Sequence, residues 1–96
     1  MEIKNSKPIE QVKKGDKVKI DSKELEVDAH YVLMEHKDNK GERVLEMAIE
    51  LFNPKDEDEI WQLRYFPDRL EFMEAYRLEG GLMFVQPIKE PKKIEF

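Results

Sequence analysis

The sequence predicts an all-β protein, a single small antiparallel meander or partly open barrel of about six strands. Apolar residues occupy odd positions from Leu25 to Tyr65 and alternate with mostly polar neighbours. This period of two places one face of each strand against a core. Turn-forming residues interrupt the alternation at short intervals, as in strands joined by hairpins. The odd apolar positions are Leu25, Val27, Ala29, Tyr31, Leu33, Leu45, Met47, Ile49, Leu51, Trp61, Leu63 and Tyr65.

The predicted strands follow one another along the chain, with a turn between each pair. Val18 and Ile20 mark the first strand, after a Gly15-Asp16 turn. A polar hairpin loop is predicted at 35–42, an acidic turn at 55–59 and a Gly-Gly turn at 80–81. Pro87 predicts that the last strand lies at the edge of the sheet, since proline cannot donate to a ladder. The remaining strands are predicted at 24–34, 43–52, 59–66, 68–79 and 82–88.

Residues 68–79 also fit a helix, which would make the fold α+β. The segment has no β-branched residue, and Pro67 and Gly80 flank it in the positions of helix punctuation. As a strand, it places Leu70, Phe72, Tyr76 and Leu78 on one face, interrupted by Glu74. The tight turns on both sides favour the strand, because sheet context overrides intrinsic propensity.

Length and composition predict one domain over residues 1–96, with 1–8 and 89–96 as tails that could be flexible. The chain has 40% hydrophobic and 41% charged residues, no cysteine and a net charge of −5. Disulfides and thiolate metal sites are therefore excluded. The acidic total repels phosphate and anionic lipid. We expect a cytoplasmic protein without a signal peptide, membrane contact or cofactor.

Three aromatic residues are candidates for a protein-binding surface. Phe52 and Phe66 fall at even positions, on the face opposite the predicted core, and Trp61 lies between them in sequence. An exposed apolar patch of this kind is typical of a surface that binds a protein partner or a second copy of the chain. A second core layer is the alternative explanation for the same residues.

A cluster of lysines is the one local positive patch. It consists of Lys13, Lys14, Lys17, Lys19 and Lys23. With the aromatic residues as stacking platforms, such a patch could bind single-stranded nucleic acid. Interspersed carboxylates weaken this hypothesis, and a charged edge strand that prevents aggregation is the alternative. Nucleic acid is therefore a less favoured partner than protein.

Reactive and metal-ligating residues form no convincing site. His30 and His36 share a predicted strand face but lie six residues apart, about 20 Å by strand rise, too far to chelate one ion. Glu74 interrupts an apolar face and would need Arg64 or Arg77 as partner if buried. An edge position that reaches water is the simpler expectation for it. We assign no catalytic residue and no metal ligand.

The segment from Ile9 to Ile20, with its Gly15-Asp16 turn, resembles the entry to SH3-like and KOW-type β-barrels. The resemblance implies an SH3-like barrel for the fold. The Val-Lys-Lys-Gly-Asp string also resembles biotinyl and lipoyl domains. The segment 45–50 lacks the lysine that those carriers modify, which excludes them. We therefore expect a non-enzymatic protein–protein interaction module, with an unknown protein or a second copy as partner, and a nucleic-acid-binding barrel as the alternative.

Overall fold

The strands form one open, mixed β-sheet in the computed structural model, which describes residues 2–79, 84–87 and 91–96. Along the sheet their order is β1-β8-β2-β3-β4-β5-β6-β7, and no described pairing joins β1 to β7. The sheet is therefore not closed into a barrel. The eight described strands are β1 (Glu2–Lys4), β2 (Lys17–Ile20), β3 (Lys23–Lys37), β4 (Arg43–Asn53), β5 (Asp56–Tyr65), β6 (Glu74–Glu79), β7 (Phe84–Pro87) and β8 (Lys93–Glu95). Two 3₁₀ turns cover Ile9–Gln11 and Leu70–Phe72.

The predicted all-β meander is confirmed. Strands β2 to β7 are the six expected strands, and each pairs antiparallel with the next. In the segment 68–79 the strand prediction is confirmed for Glu74–Glu79, whereas Leu70–Phe72 form a 3₁₀ turn before the strand. The α-helical alternative is wrong. The strand β7, which corresponds to the last predicted strand, ends the strand order of the described sheet, as expected. The predicted Gly-Gly turn at 80–81 lies outside the described residues.

The acidic segment 55–59 is not the turn that was expected. The turn is made by Pro54 and Lys55 alone, and β5 begins at Asp56. Asn53 pairs with Asp56 across this turn, and its Oδ1 accepts a 3.0 Å hydrogen bond from the Lys55 amide. Asp56, Glu57 and Asp58 extend the hairpin with their carboxylates exposed to water, whereas Glu59 is half-buried.

Both chain ends contribute short strands to the sheet. β1 and β8 pair in parallel, and β8 also pairs antiparallel with β2. Asp21, in the tight turn between β2 and β3, has a φ of 50°. Its Oδ1 accepts hydrogen bonds of 2.8 Å from the amides of Lys92 and Lys93. These bonds tie the C-terminal segment to the first hairpin.

A β-bulge at Asp28 reverses the side-chain alternation of β3. Val27 lies opposite Leu51, but Ala29 lies opposite Glu50, so one residue of β3 has no partner. After the bulge, His30 rather than Tyr31 points to the core. The prediction that Tyr31 shares the core face is therefore wrong. The core consists of Ile9, Val12, Val18, Ile20, Leu25, Val27, Ile49, Leu51, Leu63, Tyr65, Met73, Ala75 and Ile94. We call this side of the sheet the core face and the opposite side the outer face.

Candidate binding surfaces

A hydrogen-bonded polar network crosses the outer face from β3 to β5. The Tyr31 hydroxyl donates a 2.7 Å bond to Glu50 Oε1 and accepts a 2.8 Å bond from Gln62 Nε2. The Arg64 Nε donates a 2.7 Å bond to Gln62 Oε1. Gln62 is only 5% exposed, and both ends of its amide are satisfied. The network therefore holds the Glu50 carboxylate in one position.

Tyr76 extends this network to β6. The Arg64 guanidinium lies 4.2 Å from the centre of the Tyr76 ring, and the Tyr76 hydroxyl donates a 3.0 Å bond to Glu74. Burial raises the pKa of Tyr31 and of Tyr76, and the carboxylates of Glu50 and Glu74 raise them further. Both hydroxyls therefore stay protonated at neutral pH and act as hydrogen-bond donors.

Phe52 lies in a shallow outer-face pocket of about 280 Å³. Phe52 and Ile60, which are opposite each other on β4 and β5, provide its apolar side chains. Its lining is Asp28, Glu50, Leu51, Phe52, Glu57 and Ile60. Three carboxylates thus surround an apolar floor, and no basic residue contributes to the described lining.

Phe66 lies at a different place on the protein. Its ring centre is 5.7 Å from that of His36 and 4.9 Å from the Arg69 guanidinium. It follows the end of β5, where Tyr65 pairs with Met47. Met47 is five residues from Phe52 along β4, which corresponds to about 16 Å by strand rise. The structure therefore does not bring Phe52 and Phe66 together.

Trp61 lies on the core face, opposite Leu51. Its ring centre is 5.6 Å from the Lys23 ammonium and 5.5 Å from the Arg77 guanidinium. Its Nε1 donates a 3.0 Å hydrogen bond to Glu59. Trp61 and Phe52 lie on opposite faces of the sheet, so no single surface contains all three predicted aromatic residues.

The predicted lysine cluster is largely neutralised by neighbouring carboxylates. Lys17 Nζ lies 2.6 Å from Glu26, and Lys23 Nζ lies 2.5 Å from Glu59. Lys19 is paired in register with a glutamate on each side, in β3 and in β8. Lys13 and Lys14 are exposed in the turn before β2. The lysines on the strands therefore belong to a cross-strand pattern of alternating charge.

A groove beside the terminal strands retains a positive character. It has a volume of about 280 Å³ and lies beside the paired ends of β1, β2 and β8. Its lining is Lys4, Asn5, Ser6, Lys17, Lys19, Glu95 and Phe96. The Glu95 carboxylate in this groove accepts from Lys93 at 3.2 Å. The hydrogen bond from Lys93 lowers the pKa of Glu95. This carboxylate therefore stays ionised and opposes the binding of an anion in the groove.

The two histidines have separate structural roles. His30 Nδ1 lies 2.7 Å from the Val12 carbonyl oxygen, and its Nε2 lies 2.6 Å from the Tyr65 hydroxyl. His36 Nε2 lies 3.1 Å from Glu46. A second bulge, between Val32 and Met34, places His30 and His36 on opposite faces, against the prediction that they share one. The described residues contain no group of three or more potential metal ligands.

Glu74 is exposed at the start of β6, so the expectation that it reaches water is confirmed. The strand itself is not an edge strand, because β6 pairs with both β5 and β7. Arg64, one of the two predicted partners of Glu74, lies opposite it in register. Arg77 instead stacks near Trp61 on the core face. Glu74 and Arg64 both contact Tyr76, and Glu74 is the last member of the polar network on β6.

The sequence did not reveal the polar network, nor that no strand of the described residues pairs with β3 from Asp28 to Lys37 on the side away from β4. The network was missed because the alternation assigned Tyr31 to the core. An indication of the unpaired edge was available, since the strand predicted at 24–34 is much longer than the first strand that could cover it. Val32 and Met34 on this edge are 49% and 54% exposed.

Comparison with known protein families, curated proteins and solved structures finds no match to this chain. Among the described residues, no helix has the length and apolar character needed to cross a membrane. The functional argument therefore depends on the surfaces of the protein itself.

Proposed function

We propose that this protein is a non-enzymatic interaction module that binds a segment of another protein in the Phe52 pocket. The observation that carries the proposal is the combination of an apolar floor and an acidic rim in one pocket. A volume of about 280 Å³ suits one or two side chains rather than a large ligand. The pocket lies on a sheet face, where an extended segment can lie across it.

The charges around the pocket favour a basic side chain as the group that enters it. Lysine and arginine have long aliphatic stems that pack on apolar surface while the cationic end reaches polar groups. Here the stem would contact Phe52 and Ile60, and the cation would reach Glu57 or Asp28 at the rim. An aromatic ring also attracts a cation through its π face.

The polar network supports a binding role for Glu50 within this pocket. Its carboxylate is held by the Tyr31 hydroxyl, which Gln62 holds in turn. A carboxylate fixed in this way loses little conformational entropy when a cation binds. The network therefore favours specific recognition of an arginine or lysine at one position of the partner.

Binding of single-stranded nucleic acid is the second candidate, and the groove beside Lys4, Lys17 and Lys19 favours it. Phe96 in the same groove could stack on a base. The glutamates paired with Lys17 and Lys19, together with the acidic total charge, oppose it. Protein binding through the Phe52 pocket is the function we infer.

A site-specific photocrosslinker distinguishes these candidates. Phe52 is replaced by p-benzoylphenylalanine, and the full chain is irradiated in lysate of its source organism with and without nuclease. The same replacement at Phe72, which is 69% exposed and outside the pocket, controls for random encounters. The proposal predicts a protein adduct that forms at position 52, survives nuclease and is reduced by Glu57→Lys. An adduct that nuclease removes would support the alternative, and equal labelling at both positions would contradict the proposal.

A further inference from the structure

One long stretch of β3 has no neighbouring strand on its outer side. β2 pairs with β3 only from Lys23 to Glu26, and the Val27 backbone then bonds to Gly15 and Asp16. Among the described residues, no strand pairs with this side of β3 from Asp28 to Lys37. An unpaired strand edge is a template for adding a further strand.

The pairing register shows which backbone groups of β3 point to this free edge. Val27 directs its amide and carbonyl away from β4, because they bond to Asp16 and Gly15. Its partner Leu51 therefore also faces away from β3, and so does every second residue along the regular strand β4. The β3 residues opposite these positions are His30, Val32, Glu35 and Lys37. Their backbone groups face the free edge.

Because of the bulge beside Leu33, the residues that face the free edge are spaced symmetrically about one point in the sequence. Val32 and Glu35 lie equally far from the midpoint between Leu33 and Met34, and His30 and Lys37 do as well. Antiparallel pairing about a two-fold axis at that midpoint therefore puts every edge-facing residue opposite another edge-facing residue. Such matching is required for cross-strand hydrogen bonds, and a two-fold dimer provides it from one surface.

Exposed apolar side chains lie at the same centre. Of the three exposed large apolar residues in the described part of the chain, Val32 and Met34 flank the midpoint, one on each face of β3. The ends of the edge differ in charge, since the exposed Asp28 lies at its start and Lys37 at its end. Antiparallel pairing brings the acidic start of one copy near the basic end of the other.

We propose that a second copy of this chain pairs with the free edge of β3, so that two sheets join through antiparallel β3 strands. The inference does not depend on the Phe52 pocket, whose lining shares only Asp28 with this edge. A short edge contact buries little surface, so we expect a weak dimer with a dissociation constant on the order of 100 µM.

Sedimentation equilibrium and amide hydrogen exchange of the full chain, from 10 µM to 1 mM, test this proposal. We expect the mass to rise towards that of a dimer as the concentration rises. Exchange at the amides of Val32, Glu35 and Lys37 should slow with concentration. The amides of Tyr31 and His36, which face β4, should be protected equally at all concentrations.

A matched pair of variants locates the contact. Glu35→Pro removes an amide that faces the free edge and leaves the β3–β4 hydrogen bonds intact. Glu35→Thr removes the same carboxylate, and with it the exposed ion pair to Arg43, but keeps the amide. We expect Glu35→Pro to weaken the dimer at least tenfold and Glu35→Thr to retain it.

The proposal is overturned by a chain that stays monomeric at 1 mM with rapid exchange at these amides. A dimer that both variants retain would also overturn it, because the contact would then lie elsewhere. If Glu35→Pro fails to fold, the concentration dependence of exchange in the unmodified chain decides the question alone. A free edge that pairs only with an added foreign peptide counts against a second copy as its partner.

Discussion

His30 connects the chain segment before β2 to the end of β5. Its Nδ1 lies 2.7 Å from the Val12 carbonyl oxygen and its Nε2 2.6 Å from the Tyr65 hydroxyl. A carbonyl only accepts, so Nδ1 carries the proton, and in the neutral ring Nε2 accepts from the tyrosine. The bulge at Asp28 is what turns this side chain towards the core.

Removal of the Tyr65 hydroxyl tests this bridge. Tyr65 is 2% exposed, so Tyr65→Phe leaves a ring nitrogen without its partner. We expect the free energy of unfolding to fall by about 1–2 kcal/mol. Tyr76→Phe, which removes an exposed hydrogen bond to Glu74, is the control and should change it by less than about 0.5 kcal/mol. Urea unfolding followed by Trp61 fluorescence measures both, and equal effects would contradict the role of the bridge.

The same tyrosine predicts a loss of stability at alkaline pH. Burial raises the pKa of Tyr65 from 10.0 to about 12, and Glu10 adds to the shift. The unfolded chain then releases this proton at lower pH than the folded chain. The contribution of the protonated Tyr65 hydroxyl to the free energy of unfolding is therefore fully present below pH 10 and is lost as the pH rises to about 12. We expect unfolding at pH 8 and pH 11 to show a smaller alkaline loss in Tyr65→Phe than in the unmodified chain, and an identical loss would contradict this.

Asp21 is predicted to determine how firmly the C-terminal segment is held. Asp21→Gly keeps the positive φ favourable but removes the acceptor for the Lys92 and Lys93 amides. We expect a loss of about 1–2 kcal/mol and faster amide exchange at these two residues. Asp21→Asn keeps both the oxygen and a tolerated conformation, so it should lose less than half as much. If the amides of Lys92 and Lys93 exchange as slowly in Asp21→Gly as in the unmodified chain, the prediction is contradicted.

The Lys17–Glu26 pair should contribute little to stability. The two side chains are 48% and 31% exposed, and exposed pairs of this kind typically contribute about 0.2–1 kcal/mol. We expect Lys17→Glu to destabilise the protein by about 1 kcal/mol through like-charge repulsion with Glu26. The exchanged pair, Lys17→Glu with Glu26→Lys, should recover most of this loss. Thermal unfolding at low and high salt checks both, and no recovery in the exchanged pair would contradict the pairing.

The order of the strands from β2 to β7 follows from local patterns in the sequence. Tight turns and a period of two are properties of adjacent residues, so they predicted the meander from β2 to β7. They also predicted a strand within 68–79, which the structure has at Glu74–Glu79. The length of the predicted strand 24–34 is typical of a strand that bends or bulges, but the positions of the bulges beside Asp28 and Leu33 were not predictable in this way. A bulge depends on which partner residue lies opposite, and both strands are apolar at several neighbouring positions. Because the bulge positions were not known, Tyr31 was assigned to the wrong face, and His30 and His36 were wrongly assigned to the same face.

The two terminal strands were also not predictable from the sequence. β1 and β8 are three residues each, too short for an alternation to be recognised. They form because Asp21 and the β2 edge provide partners from distant parts of the chain. For the candidate site, the sequence identified Phe52 as outward-facing. The alternation also put Trp61 at an odd, core-facing position, where the structure has it. It could not show that Phe66 lies apart from Phe52, because that depends on the pairing register between the strands.

The Phe52 pocket is tested most directly by titration with defined peptides under NMR observation. The probes are blocked pentapeptides that differ only at the central residue, which is arginine, leucine or glutamate. The variants are Glu57→Lys, at the pocket rim, and Asp58→Lys, an exposed neighbour outside the pocket lining with the same charge change. We predict that the arginine peptide alone shifts the backbone signals of Phe52 and Ile60. Glu57→Lys should abolish these shifts and Asp58→Lys should retain them. Shifts that are the same for all three peptides, or lost equally in both variants, would contradict recognition of a basic side chain in this pocket.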